Sequence, residues 1–174
     1  MHMYYSALLQ TNAMNKKNRQ GAVGALLDIY EHAISALKKE VSDIPDSALT
    51  IVTDPQTSDA NCRSVQSILS HVVHAGYGYA TSIHNTKHHY IPRPEKTFHL
   101  AIEEYSRDLT NVFTYTENIF SEITDDELEQ LDNSLKIKTN WGQWYDIEQL
   151  TEHAIVHILR HKRQIENIKR KKLW

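Results

Sequence analysis

The stretch DIEQLTEHAIVHILRHKRQIENIKRK, Asp146 to Lys171, decides how the chain is read. Asp146 and Gln149 match a capping box, which starts a helix by satisfying backbone N–H groups at both ends of its first turn. Lysines and arginines gather at the far end, where cations complement the helix dipole. Inside it, His153, His157 and His161 recur every four residues. With eleven histidines in 174 residues, chance gives roughly 0.7 pairs at that spacing but only about 0.04 triples. The triple therefore calls for a reason.

Geometry separates its members. Each four-residue step turns about 40° around the helix, so adjacent pairs converge while all three fan over about 80°. Either His153 with His157, or His157 with His161, offers two ligands to one ion. A zinc site with an open position needs three protein ligands, so the third must come from another element. His71, in SILSHVVHAG beside the apolar stripe of Leu69, Val72 and Val73, is the leading candidate. A core-facing histidine is costly unless it is hydrogen-bonded or metal-bound. His74, one turn on, is an alternative ligand or a supporting partner. His84, His88 and His89 read as a solvated polar loop, and His2, His32 and His99 carry no pattern.

Working outward, the same helical period dominates the chain. Val23, Leu26, Leu27, Tyr30, Ile34, Leu37 and Val41 mark a first helix from Gly21 to Val41. A long loop with Pro45 and Pro55 follows. Ser64 then caps a second helix reaching about Asn85, in which Gly76 and Gly78 each cost about 1 kcal/mol relative to Ala. Close packing or close access to a ligand would account for them, and ordinary tolerance accounts for them equally. Pro92 and Pro94 stop that helix. A third spans about Phe98 to Phe120, with Leu100, Ile102, Tyr105, Leu109, Val112, Phe113 and Ile119 as buried candidates. TDDELEQL reads as a short acidic helix capped by Thr124, and DNSLKIKTNWGQWY as an extended connection.

Four long amphipathic helices imply an all-α four-helix bundle with long inter-helix loops and a short extra helix before the last. The dozen residues between helices 2 and 3 can extend to about 40 Å, enough to cross back over a helix of about 33 Å. Residues 1–20 read as a loosely attached N-terminal extension, with Met14 as an alternative start, and 21–174 as one domain. The formal charge of −3 gives no pull toward nucleic acid or an anionic membrane. No apolar run approaches membrane-spanning length. Cys62, the only cysteine, fits a reducing cytoplasm.

Two segments, SILSHVV and HAIVHILRHKRQI, give the chain a family resemblance. The arrangement resembles the DinB/YfiT-like metalloenzyme family over essentially everything after the N-terminal extension. The second segment is similar to the family's last-helix pattern H-x3-H-x3-HRGQI. Position by position, the family's metal-binding triad falls on His71, His157 and His161, and His153 matches an additional upstream histidine that is not a ligand. The chain departs from the pattern at Arg163, which stands where the family has Gly. It departs again at Ile158, where an acidic residue is common; the change removes one general base.

The resemblance implies an up-down-down-up bundle, a divalent metal ion (zinc or nickel), a homodimer and a small-molecule substrate, in particular a low-molecular-weight thiol. The expected function is a thiol S-transferase or related activity on a three-histidine site with an open coordination position. A metal-dependent hydrolase is one alternative, and a non-catalytic metal- or ligand-binding dimer in stress response is another. Tyr77, Glu104 and Glu152 are available as a general base, and sequence does not choose among them.

Overall fold

The computed structural model describes residues 18–171; residues 1–17, which include most of the expected extension and Met14, and residues 172–174 lie outside the described residues. Four helices carry the fold: α1 Gly21–Val41, α2 Val65–Lys87, α3 Ile102–Phe120 and α4 Ile147–Arg170. They pack as a helical bundle. α1 lies against α3 and α4, and α2 closes the ring against the same two helices. Leu37 and Val41 of α1, Val65, Ile68 and Leu69 of α2, Leu109 of α3 and Ile165 of α4 share the core and have essentially no exposed surface. No helix among the described residues is long and apolar enough to cross a membrane.

Side-chain pairs give the relative directions of neighbouring helices. Ser70 meets Tyr105, Gly76 meets Val112 and Thr81 meets Tyr115, so α2 and α3 run the same way. Cys62, just before α2, meets Gln164, His71 meets His157, and Tyr79 meets His153, so α2 and α4 run oppositely. The C-terminal ends of α1 and α4 meet through Lys169, which pairs with Glu40 and Asp43. The segment between α2 and α3 consequently returns along the length of α2. Asn85 holds both the N–H and the C=O of Ile91, and Gln66 Nε2 donates to the carbonyl of His99 at 2.9 Å.

Gly76 has a packing reason. A Cβ there would lie 2.9 Å from Val112 Cγ2 and 3.4 Å from the Tyr30 hydroxyl, so its absence lets α3 and α1 close on α2. Tyr30 is buried, packs edge-on against Phe113 at 5.9 Å, and burial drives its phenol pKa up. At the entrance to α1, Arg19 binds three carboxylates, Asp28, Glu31 and Glu117, and so ties the chain before α1 to both α1 and α3.

Three expected elements differ. α3 starts at Ile102 rather than Phe98 because Asp46, from the first loop, accepts the Ile102 N–H at 2.8 Å and so caps the helix there. Leu100, expected in the core, is 73% exposed as a result. The acidic segment forms only a single tight turn, Asp125–Glu127, because Asp125 is drawn across to accept the Val23 N–H and cap α1. The extended connection folds into a small hairpin, with β1 Ile137–Lys138 antiparallel to β2 Trp144–Tyr145. Its turn contains Gly142 at φ +90°, a left-handed conformation that favours glycine.

Candidate metal centre

α2 and α4 build the site between them. Ser64 caps α2 and Asp146 caps α4, each with its own capping box, and the two caps fix where every later side chain falls. His71 lies on the second turn of α2, facing His157 and His161 on successive turns of α4. Nε2 of His157 stands 2.9 Å from Nε2 of His71 and 3.2 Å from Nε2 of His161. The three rings meet edge to face, with centroids 4.5 to 5.1 Å apart.

The electrostatics favour neutral rings. Burial lowers the pKa of His71 to about 4 and that of His157 to about 3; neighbouring histidines add to both shifts, with Lys96 adding to the first and Arg160 to the second. His161 is also pushed down, mainly by burial. Its tautomer is set from outside. Nδ1 lies 2.9 Å from the Gln164 side-chain oxygen, so Nδ1 carries the proton and donates. Nε2 is left with a bare lone pair aimed at the other two rings. Three neutral imidazole nitrogens converging in a half-buried space, one fixed as an acceptor, suit a divalent cation better than they suit one another. Among the described residues this is the one group of three or more metal-ligating side chains with donor atoms all within 4.8 Å.

His153 has a different place. Its ring stacks on Trp141 at 5.0 Å and 21° and lies 6.4 Å from His157, outside the converging group. Tyr79 stands edge-on to both His153 and His157, at 5.6 and 5.9 Å. The hairpin thus lays aromatic surface along α4 beside the triad. His74 also lies outside the group, and its pKa is lowered by burial and then by the charges of Arg93 and Lys96.

None of the three residues considered as a general base stands at the triad. Tyr77 packs against Tyr115 of α3 at 5.2 Å, Glu104 lies on α3 near His99 and Arg107, and Glu152 is exposed. The carboxylate whose field reaches His71 and His161 is Asp59, from the turn before α2. It is kept ionised chiefly by the Asn61 N–H, at 2.9 Å. Cys62, from the same turn, bridges Asp59 and Gln164 at 3.4 and 3.7 Å. Sequence reading missed both Asp59 and Gln164. The Asp and Asn of SDANC were the available signal, but nothing in the sequence folds that loop onto α4. Ile158 is in the core and Arg163 is exposed; neither belongs to the converging group. Outside the site, His99 is paired with Asp108 at 2.6 Å and His88 with Glu122 at 2.8 Å.

No protein-family model, no curated protein and no solved structure matches the chain.

Proposed function

We propose that the chain is a divalent-metal-dependent enzyme of the DinB-like kind, a thiol S-transferase or a close relative, with His71, His157 and His161 as its ligands. The observation that carries this reading is the convergence of three Nε2 atoms from two helices, at the positions the two sequence segments pick out. The shared direction of α2 and α3, joined by a long returning segment, supports the up-down-down-up bundle of that family.

Zinc or nickel fits the all-nitrogen ligand set. A bound ion of that kind supplies Lewis acidity, which acidifies a coordinated water or thiol at neutral pH. The remaining roles fall to the chain's own side chains. Gln164 holds the His161 proton on Nδ1 and so keeps Nε2 available. Asp59, ionised beside the site, supplies negative charge that three neutral imidazoles lack. Tyr79, with His153 and Trp141, shields one side of the site from water. The same reading carries a homodimer and a cytoplasmic setting as its further expectations.

The test is metal analysis of protein loaded with zinc or nickel. His157→Ala is expected to lose stoichiometric metal while His153→Ala keeps it; metal retained in full by His157→Ala sinks the ligand assignment. Loaded protein is then assayed with small thiols and electrophiles. Stable metal binding with no turnover across that panel overturns the transferase reading and leaves a non-catalytic metal-binding protein.

A further inference from the structure

A second chemical feature lies along α2 from the triad. Gly78 follows His71 by seven residues, so it sits about 10 Å along the helix axis and only about 20° around it. His71, His74, Ala75, Gly78 and Tyr79 are all partly open to solvent, which leaves a shallow trough on this face. The returning segment forms one wall. It is fastened at one end by Asn85 to Ile91 and at the other by Lys96 Nζ, which donates to the Asn61 side chain at 2.6 Å. Tyr79 and Trp141, 6.3 Å apart and edge to face, stand on the side of α4.

Arg93 crosses the trough at Gly78. A Cβ on Gly78 would press on its Nη1 at 3.2 Å and its Cδ at 3.5 Å, so the glycine gives the guanidinium its seat. Pro92 and Pro94 flank Arg93 and restrict the backbone on either side, which presents the side chain from a stiff segment. The guanidinium has no hydrogen-bond or ion-pair partner among the described residues, whereas that of Arg19 holds three carboxylates. Its charge is felt at His74 and Tyr79, and that of Lys96 at His71 and His74. An unpartnered planar fork of donors matches a carboxylate or a phosphate group.

We infer that Arg93, seated on Gly78, binds the carboxylate or phosphate of an organic anion that lies in the trough with its other end at His71, His157 and His161. The identity of the reactive end rests on the proposed metal site; the anion site does not. Lys96 adds to the positive potential of the same wall, and Tyr79 and Trp141 face the apolar middle of the molecule.

Two measurements separate these claims. In proton–nitrogen spectra of metal-free protein, the Arg93 Nε–H signal, identified by its loss in Arg93→Gln, is followed during additions of acetate and of inorganic phosphate. A saturable shift is expected, and the anion giving the larger response at equal concentration names the group. A signal that moves with neither overturns the anion site, whatever the metal result. In cobalt-substituted protein, visible absorption then reports binding of mercaptoethanol and of mercaptohexanoate. The charged thiol is expected to bind about ten-fold tighter, with Arg93→Gln bringing the two to parity. Parity in the unsubstituted protein overturns the link between Arg93 and the triad. Failure to take up cobalt instead counts against the proposed metal centre and leaves the first measurement to decide the anion site.

Discussion

Gln164 touches no ligand atom of the proposed centre, yet it decides which nitrogen of His161 is free. Its carboxamide oxygen accepts a hydrogen bond from the Nδ1–H at 2.9 Å, and without that bond the ring distributes its proton over both nitrogens and turns more freely. Supporting partners of this kind are typically worth about 10–100-fold in metal affinity. Gln164→Leu is therefore expected to lower zinc affinity by about that factor and leave the helical circular dichroism unchanged. An unaltered affinity in a competitive chelator titration would remove Gln164 from the site. His153 shows the converse case. It shares the four-residue spacing of its neighbours but is taken up by Trp141, so spacing alone does not make a ligand.

At the scale of the elements, the closest approach in the bundle is set by a missing atom. Gly76→Ala adds a Cβ 2.9 Å from Val112 Cγ2, and Val112 is β-branched and stiff on α3. Overpacking of this kind costs about 1–3 kcal/mol, against about 1 kcal/mol of helix propensity gained. A net destabilisation of up to about 2 kcal/mol is expected in urea unfolding; a variant more stable than the parent would show that α2 and α3 part without strain. Much of this level was legible in the sequence. α1 follows from its apolar period, α2 from its period and its cap, and α4 from its capping box, while the two glycines in one helix left close packing as one of several readings. The start of α3 and the fate of the acidic segment were not legible, since Asp46 and Asp125 cap helices far from them in sequence. Helix geometry limited the last helix to an adjacent pair of histidines and left both pairs open; it was the resemblance that singled out His157 and His161 with His71, the three rings that converge. Asp59 and Arg93 reach the same face only through the paths of two loops, which carry no period.

For the whole molecule, the triad joins two helices, and His71 and His157 stand 86 residues apart in the chain. An ion that binds only the folded chain stabilises it by mass action, about 2.7 kcal/mol at a hundred times the dissociation constant. For a protein of this size that corresponds to roughly 5–10 °C in melting temperature. Zinc is expected to raise the melting temperature by that amount, and a chelator to reverse it. His71→Ala should show no shift; an equal shift in that variant would place the stabilising ion elsewhere. The scaffold also divides its labour. α2 and α4 supply all three rings, while α1 and α3 back them with apolar surface and the buried Tyr30 and Phe113.

That 86-residue separation has a consequence in time as well as in space. A chain leaving the ribosome at about 5–20 residues per second presents His71 roughly 4–17 s before His157 exists. During that interval α2 has no partner ring to share an ion with, and any metal it meets is held by one side chain alone. The proposed centre is thus assembled only once α4 has been made and docks against α2. A divalent ion shared by all three rings would find its site only from that point on.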